Sequence, residues 1–140
     1  MKYLLDTCIL SEPFKRQPNP QVIAWLRSVD QSSLYTPSVV LGEMRKGVEK
    51  MPAGVRRGML EKWLADYLRF YADNIVAFDA EVAMTWGKLA GRLQMEGVSP
   101  PVIDSQIAAM AIHHGMTLVT RNVRDMQATG AEVFNPFSAG

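Results

Sequence analysis

The sequence predicts an α/β fold in which helices cover both faces of a central, mostly parallel sheet. Three observations carry this expectation. Strand-like apolar runs alternate with stretches of helical period along the chain, the pattern of parallel βα units. The first run, Tyr3-Leu4-Leu5, is short and wholly apolar, as for a strand buried on both faces. Capping and breaking residues stand where helices should begin or end: Thr36-Pro37-Ser38, Asp79, Gly97, Ser99-Pro100-Pro101 and Gly115.

Taken in order, the N-terminal strand gives way to Asp6, an N-cap for a turn running through Ser11. Pro18 to Pro20 leads into a helix from Gln21 to Val29. Leu34-Tyr35-Thr36 is a weak strand, and the next helix runs from Ser38 to about Lys50, before Met51-Pro52-Ala53-Gly54 breaks it. A long amphipathic helix spans Val55 to Tyr71, and Ile75 to Phe78 is the next strand. Asp79 caps a helix through Glu96, whose apolar stripe is Val82, Trp86, Leu89, Ala90 and Leu93. Ser99-Pro100-Pro101 opens another helix, closed by Gly115. Thr117 to Thr120 is a strand, Asn122 to Ala128 a short helix and Glu132 to Phe134 a final strand. Ligands of such folds bind outside the carboxyl ends of the strands, near the point where strand order reverses. Asp6 and Asn122 each directly follow a predicted strand.

The 140 residues make one expected domain, 1–140, and about half of them are apolar, enough for a core. The formal net charge of +1 gives no overall basic field, so a nucleic-acid role needs local patches. A single cysteine, Cys8, excludes a disulfide framework and zinc fingers and fits a reducing compartment. The two histidines, His113 and His114, are adjacent, which makes a structural zinc site a poor reading. Asp6 interrupts the only apolar run at the N-terminus, and no run reaches membrane-spanning length. The expectation is a soluble cytoplasmic protein with no membrane contact.

Asp6, Glu43, Asp104 and the Asn122/Asp125 pair stand out because each sits where a core residue is expected. Asp104 lies in the almost wholly apolar stretch Val102 to Ile112 and falls between Ala108 and Ala111 on a helical wheel. Its ordinary alternative is a carboxylate paired with an Arg or Lys, or one exposed at a helix start. Glu43 borders the apolar arc of Val39, Val40, Met44 and Val48; taken alone it reads as a solvated charge or an i,i+3 partner of Lys46. Asp6 reads equally as a cap, and Asn122 with Asp125 three residues on resembles a capping box. A cap at a strand's carboxyl end can still turn its side chain into the crevice, so the two roles are compatible.

Buried carboxylates are costly unless paired or bound to a cation. Several in one pocket suit Mg²⁺ or Mn²⁺, which take carboxylate and amide oxygens with waters completing the shell. Such an ion lowers the pKa of water and neutralises charge on a phosphoryl oxygen. Gly-x-x-x-x-Gly-Lys-Ser/Thr, Gly-x-Gly-x-x-Gly and Gly-x-Ser-x-Gly are absent, which removes nucleotide-loop and serine-hydrolase readings.

At this point the blocks resemble a family. Leu4-Leu5-Asp6-Thr7, with Ser11-Glu12-Pro13 following, resembles the opening of a PIN domain. Glu43 within Gly42-Glu43-Met44-Arg45-Lys46-Gly47, then Asp104-Ser105-Gln106-Ile107-Ala108-Ala109, then Thr120-Arg121-Asn122 match its later blocks in order. Val133-Phe134-Asn135-Pro136 resembles the ending of the FitB-like branch of the VapC toxins. Each block is short; their order and spacing over nearly the whole chain make the signal specific.

The resemblance implies a three-layer α/β/α PIN fold and a metal-dependent endoribonuclease, the toxin of a type II toxin–antitoxin pair. It further implies a homodimer and a small VapB-like antitoxin that occludes the active groove, with DNA reached only through that antitoxin. Carried over by position, Asp6 and Asp104 become the metal ligands, for Mg²⁺ with Mn²⁺ as substitute. Glu43 binds the metal through water or orients the nucleophile. Asn122 matches a fourth position that is Asp in some relatives and Asn in others, with Asp125 the nearby acid. Cys8 departs from the family pattern, which usually has Asn there; a thiol hydrogen-bonds poorly in its place, although a free cysteine also serves as a small packed residue.

The expected reaction is in-line attack of water on an RNA phosphodiester, with Glu43 or Asp104 assisting deprotonation. Thr7 and Thr120 are expected to hydrogen-bond the phosphate or the carboxylates. Arg121 and Arg124 flank the fourth position, and Arg45, Lys46, Lys50, Arg56, Arg57 and Lys62 cluster in sequence as candidate phosphate contacts. For Arg56, Arg57 and Lys62 an ordinary solvated helix face is as good a reading. Trp25, Trp63 and Trp86 fit helical stripes and read as packing. The nine methionines suit adaptable packing or a dimer surface, and His113-His114 suits a helix C-terminus.

Rival chemistries fail on local pattern. A haloacid-dehalogenase-like phosphatase needs a second Asp where Cys8 stands, a receiver domain needs an early acidic pair, and a cysteine phosphatase needs Arg where Phe14 stands. The stronger alternative is a PIN-like binding subunit of a DNA-bound toxin–antitoxin complex with weak or no nuclease activity. Cys8 is the feature that points toward it.

Overall fold

Tyr3, Leu4 and Leu5 form β1 (Tyr3–Leu5) because Leu4 and Leu5 are both sealed in the core, leaving no face for water. The strand stops at Asp6, whose carboxylate accepts a hydrogen bond from the Thr7 amide at 2.7 Å and so starts α1 (Thr7–Leu10). A short 3₁₀ turn, Glu12–Phe14, follows; Pro13 sits in its first positions, and the turn is an element the sequence reading did not include. The computed structural model describes residues 1–138, so the last two residues of the expected domain, 139 and 140, lie outside the described part.

Asn19 caps α2 (Pro20–Ser28) through the amides of Gln21 and Val22, with Pro20 in the first turn. β2 (Leu34–Pro37) runs one residue beyond expectation, into α3 (Ser38–Glu49). The Ser38 hydroxyl does not cap its own helix. It accepts from the Phe78 amide at 3.2 Å, and that bond explains why β3 (Ile75–Val76) is shorter than predicted: Phe78 has turned from the ladder toward α3. Between them lies α4 (Val55–Phe70).

Asp79 caps α5 (Ala80–Met95) through the Val82 amide at 2.9 Å. α6 (Val102–His114) ends at Gly115, whose φ of +66° places it in the left-handed region that glycine enters at least cost. Met116 then donates back to the Ala111 carbonyl at 2.9 Å, satisfying the helix end. β4 (Thr117–Val119), α7 (Val123–Gln127) and β5 (Val133–Phe134) complete the chain.

The five strands lie in the order β3-β2-β1-β4-β5, and every described pair is parallel. The chain moves from β1 through β2 to β3 on one side, then returns to β4 on the other side of β1. The reversal therefore falls between β1 and β4, where Leu5 pairs with Val119. Asp6 and Thr120 leave the carboxyl ends of those two strands side by side, where a ligand crevice is expected. Helix α6 is apolar nearly all round and buries Ile107, Ala108, Ala109, Met110 and Ala111 completely, as suits a helix enclosed by other elements. It packs along α5 and also touches α3, and these contacts carry Asp104 toward Glu43.

Candidate functional site

The crevice at the β1/β4 reversal is lined by Asp6, Thr7, Cys8, Glu43, Asp104, Arg121 and Asn122. Four separate segments supply them, with Thr7 and Cys8 following Asp6 in α1. Asp6 follows β1, Glu43 is on α3, Asp104 is in the first turn of α6, and Arg121 and Asn122 lie between β4 and α7.

Each acid has a fixed orientation. Asp6, 8% exposed, accepts from the Thr7 amide on Oδ1 and from the Thr120 hydroxyl on Oδ2, both at 2.7 Å. Thr120 is fully buried, and its oxygen also accepts from the Asn122 amide at 3.0 Å, so one hydroxyl joins the ends of β1 and β4 to the following turn. Thr7 donates its hydroxyl to Glu43 Oε1 at 2.7 Å. Asn122 Nδ2 donates to Asp104 Oδ2 at 3.2 Å. Both threonines thus bond carboxylates, one of the two expectations for them.

Two ordinary alternatives do not describe this arrangement. Glu43 is oriented by Thr7 rather than by Lys46. Among the described residues no Lys or Arg forms an ion pair with Asp6, Glu43 or Asp104. Asp104 does stand in a helix's first turn, but half-buried rather than exposed. The capping-box reading of Asn122 and Asp125 is corrected: Asn122 precedes α7 without a side-chain cap, because its amide is engaged by Asp104. Asp125 and Arg124 are exposed and are not among the residues lining the crevice, although the Asp125 charge is near enough to Asp104 to act on its carboxyl.

Burial chiefly, and then the charges of Asp6 and Glu43, raise the Asp104 carboxyl above its ordinary pKa, with a smaller push from Asp125; the Asn122 bond works the other way. A pocket in which neighbouring charges oppose ionisation of Asp104 is short of positive charge. Among the described residues no three of His, Cys, Asp and Glu stand close enough to enclose an ion by themselves. Mg²⁺ is commonly held by one or two carboxylates with waters completing the octahedron, and the oxygen-only acids here suit such an ion.

Cys8 lies inside the crevice, with Sγ 4.0 Å from Asp6 Oδ2 and 3.8 Å from Thr120 Oγ1. Burial above all, with the Asp6 charge, raises its thiol above the ordinary value and keeps it protonated at neutral pH. Arg121 is exposed at the mouth, its guanidinium 4.4 Å from the Phe137 ring centroid. The expected basic cluster of α3 and α4 is corrected in part. Arg45 pairs with Glu49 and Glu61, Arg57 with the same two acids, and Lys62 with Asp66. Those cations are engaged within and between α3 and α4.

A PIN domain family model matches residues 3–131. The chain is 33% identical over 135 residues to the toxin FitB of Neisseria gonorrhoeae, covering 96% of this chain and 97% of that protein. It is 30% identical over 135 residues to the VapC ribonuclease Y4jK of Sinorhizobium fredii, covering 96% of each. Among solved structures, that of FitAB bound to an IR36 DNA fragment superposes with a TM-score of 0.92 at 33% identity, over 99% of this chain and 97% of the other.

Proposed function

The chain belongs to the PIN domain family, and on that footing we propose that it is the toxin of a toxin–antitoxin pair, an endoribonuclease that hydrolyses RNA with Mg²⁺ or Mn²⁺. The observation that carries this reading is the meeting of Asp6, Glu43 and Asp104 in one crevice, where among the described residues no Lys or Arg forms an ion pair with them. The name of the ribonuclease relative supports the choice of RNA. The FitAB complex on DNA supports a small DNA-binding antitoxin as partner, and a homodimer follows from the same family reading.

Asp6 and Asp104 would hold the metal, with Glu43 in the same crevice. The bound cation supplies charge neutralisation on the phosphoryl oxygens and acidifies water. Thr120 and the Thr7 amide each hold one oxygen of Asp6 and so fix the carboxylate in the crevice. Asn122 holds one oxygen of Asp104 and leaves the other for the site. Glu43, fixed through Oε1 by Thr7, offers its second oxygen as acceptor of a proton from the attacking water. Arg121 at the mouth gives a phosphate contact that positions the strand without reading its bases.

The test is cleavage of total RNA by the purified protein with Mg²⁺ or Mn²⁺, with EDTA, and by Asp6→Asn and Asp104→Asn. Discrete fragments that need the metal and vanish in both variants are expected. Fragments that persist in EDTA and in both variants would come from a contaminant or another site. A folded, antitoxin-free protein that cuts nothing would leave the binding role.

A further inference from the structure

The charge that Asp104 brings to the crevice is repelled by Asp6 and Glu43, so the turn that carries it has to be held against that repulsion. Its side chain has one tether, the Asn122 amide. Its backbone has no cap: Pro101 stands at the N-cap position of α6 and offers no side-chain acceptor to the first turn.

Ser105, the next residue, does what the cap does not. It is 5% exposed, and its hydroxyl donates to the Val102 carbonyl at 2.6 Å and accepts from the indole N–H of Trp86, on α5, at 2.9 Å. One hydroxyl thus closes the first turn of α6 and ties it to the neighbouring helix. Neither Ser105 nor Trp86 lines the crevice, so both act from outside it.

Packing does not fix this contact by itself. A cavity of about 230 Å³ opens between α5 and the start of α6, with Trp86, Leu93, Pro100, Val102 and Ser105 on its lining. Side chains that border a void lose contacts on that side, so a directional bond is needed to set where the turn sits. The apolar stripe of α5 asks only for a large ring at position 86. The N–H, which can only donate, is the part of Trp86 that the stripe leaves unexplained.

We propose that Trp86 is a positioning residue for the metal: through Ser105 it fixes the first turn of α6 and so keeps the Asp104 carboxylate in place as a ligand alongside Asp6. The proposal rests on the metal-dependent nuclease reading above. Mg²⁺ demands near-ideal octahedral geometry, so a small displacement of one of two protein ligands is felt directly in affinity.

The test measures Mn²⁺ binding to the purified protein by the electron paramagnetic resonance signal of the free ion. The parent is compared with Trp86→Phe, Ser105→Ala, the double variant and Asp79→Ala. Amide exchange at Ser105, whose N–H donates to the Pro101 carbonyl at 3.1 Å, is read separately in EDTA. Trp86→Phe keeps a ring in the stripe and leaves Ser105 bonded to Val102, so it orphans no buried group. It should weaken Mn²⁺ binding about tenfold, the scale for a group that orients a metal ligand. Exchange at Ser105 should quicken about fivefold, the weight of one ordinary hydrogen bond. Adding Trp86→Phe to Ser105→Ala should cost nothing more, because the bond is already gone. Asp79→Ala loosens the start of α5 without touching Ser105 and should bind Mn²⁺ as the parent does.

Unchanged Mn²⁺ affinity in Trp86→Phe overturns the proposal, and so does a further loss in the double variant. An equal loss in Asp79→Ala overturns it too, since any loosening of α5 would then suffice. If Trp86→Phe does not fold, unchanged affinity in Ser105→Ala decides against the proposal in its place. A parent that binds no Mn²⁺ sinks the metal reading; faster exchange in Trp86→Phe would then leave the hold on the Asp104 turn standing, and unchanged exchange would end both.

Discussion

At Asp104 the raised carboxyl pKa has a consequence for stability. The folded state holds this proton more tightly than the unfolded chain does, because burial and the charges of Asp6 and Glu43 oppose ionisation. The group's favourable contribution is therefore present below the ordinary aspartate pKa of about 3.9 and is lost as pH rises from there through the raised value. Once ionised, the side chain carries a cost that, on the proposed reading, a divalent cation would offset. In EDTA at neutral pH, Asp104→Asn should melt at the same temperature as the parent or higher, with the advantage fading below about pH 4. Mg²⁺ should raise the Tm of the parent and not of the variant; a variant that melts well below the parent in EDTA would show that the charge is compensated within the protein. From sequence, Asp104 stood out as a charge in an apolar helix, whereas Glu43 taken alone read as a solvated charge, because the threonine that orients it lies 36 positions away.

Among the elements, the ends of β1 and β4 do different work from the helix caps elsewhere. Thr120 donates to Asp6 and accepts from the Asn122 amide from a fully buried position, so Thr120→Val keeps the shape and strips both bonds. The expected loss is about 1–3 kcal/mol of unfolding free energy and about tenfold or more in cleavage, the usual effect of removing a group that orients a metal ligand. Asp79 makes an equally plain cap on α5 and is not among the residues lining the crevice. Asp79→Ala should cost about 1 kcal/mol in denaturant melts and leave the cleavage rate unchanged. Equal effects of the two changes on cleavage would mean that Thr120 acts only through stability. The cap at Asp79, the glycine stop at Gly115 and the alternation of strand and helix were legible because each is written within a few residues. The length of β3 was not, since it depends on Ser38 taking the Phe78 amide.

Across the whole molecule, charge is distributed in a way that composition hides. Arg45, Arg57 and Lys62, candidate phosphate contacts in the sequence, are paired with Glu49, Glu61 and Asp66 within and between α3 and α4. Arg121 instead stands at the mouth of the crevice. Arg45→Ala and Lys62→Ala should change RNA affinity by less than about twofold, whereas Arg121→Ala should weaken binding to all sequences and lower the salt slope by about one. A larger effect at Arg45 than at Arg121 in salt titrations would place the RNA track over α3 and α4. Among the described residues no helix is long and apolar enough to cross a membrane.

The amino-acid sequence by itself determined the alternation of strands and helices, the ends of most helices, and the presence of Asp6, Asp104 and Asn122 at positions too polar for their surroundings. Those properties depend on periodicity, caps and local burial, which neighbouring residues encode. Only the tertiary structure decided that Asp6 and Thr120, 114 positions apart, share a hydrogen bond, that Asn122 turns to Asp104 rather than capping α7, and that Asp125 and Arg124 stay outside. It also decided that Phe14 and Trp63 face one another beside Glu43. These outcomes follow from which strand pairs with which and which helix packs on which, and parallel pairing across β1 joins segments that no local pattern connects.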